Sequence, residues 1–397
     1  MKKIFLSALA LYFSIVAGNA QSPAASDDSS AYKSRKLKLE EINFVSGYYS
    51  QDGNNSAVTG GIGTEQLTDI SNLLELKFIK PGKEERSHLL NFLVGLDAYS
   101  SASSDKIDPS TVSSASKSDR RIYPSVSYGF NNKKRGYTLG ASGYFSTEYD
   151  YTSIGTGLNF SKISKDKNKE FLVKFQAFFD NWKIILPVEL RNQPDAFTQG
   201  SNRNSYNSAL IYSFAVNMRL QAAILAEPAY QNGLLSTPFH RVYFVNNDLK
   251  VEHLPDTRYK LPLGLRLNYF LGDRIVLRSF YRYYADSWKI SAHTLSLEAP
   301  VKITPFLSVA PVYRFYNQSA AEYFAPYKEH LPAENFFTSD YDLSAFSSHL
   351  AGVNFRTVSA SGILGWKRWN SFEVRYSYYY RSTKLTAHSV AVAFRFK

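Results

Sequence analysis

Between Arg258 and Leu271 the chain reads RYKLPLGLRLNYFL, and its apolar and polar residues alternate almost without a break. Tyr259, Leu261, Leu263, Leu265, Leu267, Tyr269 and Leu271 fall on one side of an extended chain. Arg258, Lys260, Pro262, Gly264, Arg266, Asn268 and Phe270 fall on the other. Period-two alternation of this kind marks a β-strand with one apolar face. The pattern repeats after the tight turn GDR, with Ile275, Leu277, Ser279, Tyr281 and Tyr283 in phase. After a second turn it resumes with His293, Leu295, Leu297, Ala299 and Val301. It closes with Val390, Val392, Phe394 and Phe396. Strands of about 10–14 residues exceed the roughly 5–6 usual in soluble sheets and match the ~9–11 tilted residues that cross a bilayer. Tyr and Phe cluster towards the strand ends, where an interfacial girdle needs them.

The alternation predicts strands near 40–50, 68–79, 88–99, 121–131, 136–148, 151–163, 169–180, 204–216, 219–230, 258–270, 274–286, 289–302, 306–318, 341–356, 371–381 and 385–397. Connections after even-numbered strands are mostly short, such as NNKKRG, KDKNK and GDR. The very long ones, at 51–67, 100–120, 181–203, 231–257 and 319–340, all follow odd-numbered strands. The fold class expected is therefore all-β: an antiparallel transmembrane β-barrel of about sixteen strands, with fourteen or eighteen as alternatives. Short periplasmic turns stand at the end holding both termini and long extracellular loops at the other. The fifteen-residue TVSASGILGWKRWNS is the one long connection on the short side. A soluble sandwich or propeller would need shorter strands and a repeat that is not visible.

The first residues, MKKIFLSALALYFSIVAGNA, have a basic start, an apolar run and small residues before Ala20. They read as a secretory signal peptide over 1–20, followed by a polar, flexible periplasmic leader over 21–37 and the barrel over 38–397. Export without a single Cys rules out a disulfide framework, thiol redox chemistry and c-type haem attachment in this chain. The formal charge of +12 invites a nucleic-acid reading. The basic residues alternate with apolar ones instead of forming a patch, so no nucleic-acid partner is expected.

On the long-loop side the segments YYSQDGNNSAVTGGIGTEQLTD, FSTEYDYTS, YQNGLLSTPFHRVYF, FYRYYADSW, YRFYNQSAAEYF and TSDYDLS stand in order. With them the chain resembles, over nearly its whole mature length, an outer-membrane barrel family known as domain of unknown function three-five-seven-zero. That family is common in Bacteroidetes and related Gram-negative bacteria. The resemblance implies an outer-membrane location and a barrel fold, and it implies no activity. It also implies an envelope setting, with a small lipoprotein, a thioredoxin-like protein and a flavin transferase encoded nearby.

Three groups of residues carry candidate chemistry. Asp52, Glu65 and Asp69 are hard oxygen donors in a glycine-rich loop, and a structural calcium is the cofactor they would suit. The EF-hand spacing and the Walker lysine are both absent. The acids Asp97, Asp105, Asp108, Asp119, Glu148, Asp150, Asp180, Asp256, Asp286, Asp340 and Asp342 stand on the long-loop side with Arg120, Arg121, Arg258, Arg282 and Arg314. Buried charges need partners, so Asp–Arg ladders across the mouth are expected, as a constriction or as a rigid plug. Finally, Arg258, Arg266, Arg274, Arg278, Arg282, Arg314, Arg375, Arg381 and Arg395 share the polar face of their strands, with Asp286, Glu298 and Glu373 as the obvious acids. An open lumen with this lining would favour anions.

The function these features point to is a porin-like conduit with an Arg/Tyr-lined lumen and a loop-constricted mouth, not an enzyme. A non-conducting scaffold holding a lipoprotein or other envelope partner is the alternative. An outer-membrane hydrolase would have to use His240 with Asp256 or Ser236, and neither G-x-S-x-G nor H-E-x-x-H supports it. Outer-membrane lipid and lipopolysaccharide are the expected surroundings.

Overall fold

The computed structural model describes residues 36–100, 118–192 and 197–397. The signal peptide, nearly all of the leader, and Asp105 and Asp108 lie outside the described residues. The wall is made of β1 (Lys38–Asp52), β2 (Leu67–Pro81), β3 (Arg86–Ser100), β4 (Ser118–Asn132), β5 (Tyr137–Thr147), β6 (Tyr151–Ile163), β7 (Lys169–Trp182) and β8 (Asn202–Ala215). It continues with β9 (Leu220–Ala226 and Ala229–Gly233), β10 (Thr257–Leu271), β11 (Ile275–Asp286) and β12 (Ser291–Glu298 and Val301–Lys302). It ends with β13 (Leu307–Gln318), β14 (Phe346–Val358), β15 (Trp369–Arg381) and β16 (Leu385–Phe396). Each strand pairs antiparallel with the one before it, and β16 returns to β1 from Ile42↔Phe396 to Asp52↔Thr386. The result is a closed barrel of 16 strands.

Two strands are interrupted for one chemical reason. Proline has no N–H to give a ladder. In β9 the break falls at Glu227–Pro228, where the carbonyl of Pro228 still accepts from Ser208 N. In β12 it falls at Ala299–Pro300, whose carbonyl accepts from Val276 N. The flanking pieces keep the same neighbours, so each remains one wall strand.

The facing follows the alternation. Leu261, Leu263, Leu265, Leu277, Tyr281, Leu295 and Leu297 all point outward and are exposed, Leu265 to 40%. A continuous ring of outward leucines and tyrosines has no protein cover, and hydrocarbon is the surrounding that suits it. A polar pair lies within the ring: Ser46 Oγ donates to Asn72 Oδ1 at 3.0 Å, so the two satisfy each other. Four outward histidines share one arrangement. His88, His293, His349 and His388 each hydrogen-bond the hydroxyl of a diagonal tyrosine, Tyr128, Tyr281, Tyr313 and Tyr376. The last three lie near the long-loop ends of β12, β14 and β16, forming a wet-tipped aromatic arc over one sector.

The long short-side connection is a genuine structure. Ile363 N donates to Trp369 O and Ser359 N to Asn370 O, folding it into a turn beneath β14 and β15. Among the described residues no helix is long and apolar enough to cross a membrane, which says nothing against spanning by strands.

The capped mouth as candidate functional site

A buried apolar cluster lies in the loops of this protein. Val242, Phe244 and Phe337 form a buried cluster, and Leu190, Leu234, Leu254 and His330 are almost fully enclosed with them. They belong to the long connections 183–201, 234–256 and 319–345. The middle one folds into a hairpin, Arg241–Tyr243 against Leu249–Val251. Single bridges Phe244↔His330 and His253↔Phe337 stitch it to the third connection. The first connection joins through Arg241. That guanidinium is buried, grips both carboxylate oxygens of Glu189, and donates from Nη1 to Val58 O at 3.0 Å. At the other side Asn55 Nδ2 donates to Thr383 O at 2.6 Å. These contacts join the described parts of the connections 53–66, 183–201, 234–256 and 319–345 into one folded cap.

Charge is concentrated beneath that cap. Glu252 is buried, accepts Thr237 N at 2.6 Å and Thr338 Oγ1 at 2.5 Å, and lies 3.6 Å from His240 Nδ1. Asp340 completes a group whose ligating atoms all lie within 4.8 Å of one another. Burial pushes the His240 imidazole down, but Glu252, Asp340 and Asp342 outweigh it and hold the ring above its ordinary value. Burial and Asp342 hold Asp340 above the usual carboxylate range, against His240. Glu65 is pushed up to about 7, mainly by burial, with Asp342 and Asp340 adding to it and Arg381 opposing. Arg381 is itself buried. It pairs with Asp342, lies 3.8 Å from Glu65 Oε2 and stacks 5.0 Å over Phe346.

The wall tops carry a second tier of pairs. Arg258 Nε donates to Asp286 Oδ2 at 2.9 Å while its plane lies 4.1 Å from Trp288. Arg203 pairs with Asp180 at 2.8 Å. Tyr99 donates to Glu148, which lies 3.6 Å from Arg121 and is held above its ordinary value by burial. Between cap and wall are two cavities. One of about 560 Å³ is lined by Tyr99, Arg121, Glu148, Trp182, Arg203 and His240, among others. The other, of about 380 Å³, is lined by Tyr49, Glu65, Arg314, Tyr379 and Arg381, among others.

Below the cap inward side chains remain accessible. Arg278 and Arg375 point inward, yet 51% and 59% of their side chains meet solvent. At mid-height the inner faces of β5, β6, β14, β15 and β16 carry Gly140, Ser142, Gly155, Gly157, Gly352, Ser377, Ser389 and Ala391. Two large inner rings lie against neighbouring glycines. The ring of Tyr123 covers Gly95, and that of Phe178 covers Gly155.

The residues singled out from the sequence are placed as follows. Asp52, Glu65 and Asp69 do not converge. Asp52 accepts from Gln66, Glu65 faces Arg381, and Asp69 stands on β2 opposite Tyr49 and Tyr99. Among the described residues the groupings with metal-ligand spacing are His240–Glu252–Asp340 and Asp119–Glu148–Asp150. Arg278 meets Glu298 at 3.2 Å, and Arg375 meets Glu373. Arg266 lies 5.6 Å over the Phe280 ring, and Arg314 lines the smaller cavity. Arg274 is not on a wall face: it sits in the turn between β10 and β11, because the turn takes Gly272 to Arg274. Arg381 belongs to the cap's underside. More acids stand near these arginines than the three expected: Glu227 pairs with Arg282 at 2.9 Å, Glu41 lies 3.7 Å from Arg395, and Asp342 and Glu65 face Arg381. The place of Glu227 beside Pro228 at a strand break hid its facing. His240 meets neither Asp256 nor Ser236. Ser236 Oγ instead accepts Leu254 N at 2.8 Å inside the cap.

A family model described as "Protein of unknown function (DUF3570)" matches residues 114–391, from just before β4 into β16. No curated protein matches the sequence. Among solved structures, a bacterial polysaccharide outer membrane secretin is similar at 9% identity and TM-score 0.45, covering 90% of this chain and 98% of its own. A BenF-like porin from Pseudomonas fluorescens Pf-5 is similar at 9% identity and TM-score 0.44, covering 90% and 98%. OccK2 of Pseudomonas aeruginosa is similar at 9% identity and TM-score 0.43, covering 91% and 99%. Likeness at this level carries no substrate or role to the present chain.

Proposed function

The chain belongs to the DUF3570 family, and from that premise we propose that it is an outer-membrane conduit for small anionic solutes. The observation that carries this reading is the small-residue lining at mid-height, Gly140, Ser142, Gly155, Gly157, Gly352, Ser377, Ser389 and Ala391. A solid interior would need bulky side chains at that level to fill it. The outward apolar ring supports a place in the outer membrane. The folded cap narrows the entrance to the spaces beside it, and Arg121, Arg203, Arg314 and Arg381 border those spaces. Pairing removes much of the positive charge lower down, while Arg266 and Arg314 make no ion pair among the described residues. A water-filled wall with such arginines favours anions. The chain is read as a non-enzyme, with His240 set against Glu252 and Ser236 held inside the cap by Leu254 N.

Reconstitution in planar bilayers under a salt gradient tests this. Steady openings with a reversal potential of anionic sign are the expected result. A silent bilayer from correctly folded protein overturns it. Silence together with a co-purifying envelope protein would favour the scaffold reading, for which the folded outer surface of the cap speaks.

A further inference from the structure

We infer that His240, Glu252 and Asp340 form a binding site for one divalent transition-metal ion of the zinc type, which fastens two loops of the cap together.

The argument begins with donor chemistry. One imidazole nitrogen and two carboxylates are a set that zinc and its neighbours take, whereas calcium wants six to eight oxygens. Their ligating atoms lie within 4.8 Å of one another. The 3.6 Å from His240 Nδ1 to Glu252 Oε1 is too long for a hydrogen bond. It is close to the edge, about 3.4 Å, of a tetrahedron with bonds of ~2.1 Å.

A second, independent observation concerns the histidine. His240 Nδ1 is closed off from solvent and has no hydrogen-bond partner. A buried ring nitrogen without a partner is costly, and a metal ion would satisfy it. Nδ1 points at Glu252, not at the cavity.

Local charge agrees. Glu252, Asp340 and Glu65 are gathered under the cap beside the exposed Asp342, and Arg381 meets Glu65 and Asp342. Glu252 and Asp340 are left without a guanidinium or ammonium partner among the described residues, and a cation would offset their charge.

The site is also built on fixed supports. His240 and Glu252 face each other across the base of the loop hairpin, where Glu252 N donates to His240 O at 2.9 Å. Thr237 N and Thr338 Oγ1 hold the two oxygens of Glu252, as outer partners orient metal-bound carboxylates. Asp340 comes from the connection 319–345, so an ion here would join two separate loops. The larger cavity borders His240 and Thr237 on the wall side of the site.

The test uses the full detergent-purified chain, stripped with chelator and dialysed. Titration with Zn²⁺ alone, followed by calorimetry and elemental analysis, should give one equivalent per chain. Thermal unfolding should shift upward on loading. His240→Gln should weaken binding by at least tenfold, as loss of one ligand does. Asp340→Asn, at the rim of the cap, should do the same and guards against misfolding of the first variant. Glu148→Gln, in the other acidic group, should bind as wild type. Substoichiometric uptake by folded wild type overturns the inference. So does binding by His240→Gln and Asp340→Asn as tight as that of the wild type, or a stability shift from millimolar Ca²⁺ with none from Zn²⁺. The readouts are independent of conductance, so a silent bilayer would leave this result standing.

Discussion

A Cβ placed on Gly95 would lie 2.0 Å from two carbons of the Tyr123 ring, so these paired residues share a space that one side chain fills. The tyrosine occupies it. Its hydroxyl donates to Asp97 Oδ1 at 3.0 Å, and Arg121 stacks 4.9 Å over the ring. The ring is thereby pressed against the wall, and the lumen keeps its width.

Gly95→Val should force the Tyr123 ring inward. Overpacking of this kind costs about 1–3 kcal/mol, which a barrel of this size tolerates. The expected outcome is a folded protein with lower single-channel conductance. Unchanged conductance would mean that this level is not the narrow part of the path.

Leu265 and Arg266 are neighbours on opposite faces. Leu265→Arg should destabilise the barrel by roughly 2–4 kcal/mol, the cost of a cation at the lipid midplane. Arg266→Leu removes only the stack on Phe280, about 0.5–1 kcal/mol, and should weaken anion preference. Urea unfolding from lipid vesicles separates the two, and equal damage would reverse the assigned facing.

Arg241→Met should loosen the cap while sparing the wall. It strips Glu189 of its partner and leaves the Val58 carbonyl without its charged donor. The cost is about 1–3 kcal/mol. Limited proteolysis should then cut within the cap loops first, and conductance should rise as the mouth opens.

The pH dependence of the cap has a defined sign. The folded pKa of Glu65 is about 7 against an ordinary 4.5. The folded protein therefore holds a proton on Glu65 where the unfolded chain has lost it. Its contribution is complete below about pH 4.5 and disappears as pH rises through about 7. Relative to Glu65→Gln, the wild type should be less stable at about pH 8 than at about pH 5, by on the order of 2 kcal/mol. Thermal unfolding of both proteins at the two pH values measures it, and parallel profiles would exclude Glu65 as the cause.

Much of the wall was legible because lipid imposes a strict two-residue rhythm. The expected strand 258–270 is observed as Thr257–Leu271, and 151–163 as Tyr151–Ile163. The expected 341–356 begins later, at Phe346, because 341–343 form a single turn of 3-10 helix capped by Asp340. The mouth was less legible. Loop residues obey no period, and the apolar contacts of Val242, Phe244 and Phe337 join segments far apart in the chain. Asp52, Glu65 and Asp69, close in sequence, diverge. Glu252 and Asp340, distant in sequence, converge on His240. His240 did stand out as the histidine a hydrolase would have to use, but its neighbours, Glu252 across the hairpin and Asp340 from another connection, are brought to it only by folding.

The seam where β16 meets β1 has a kinetic consequence. Ile42 and Phe396 are registered neighbours although almost the whole wall lies between them. Hairpins can form early and locally, but each unfinished sheet carries two raw edges that would template pairing with other chains. Joining partners so remote in sequence is slow by nature. Until the last strand docks, the growing wall therefore needs a chaperoned route to the bilayer, and a lesion in β16 should be felt as failed assembly rather than as a weakened barrel.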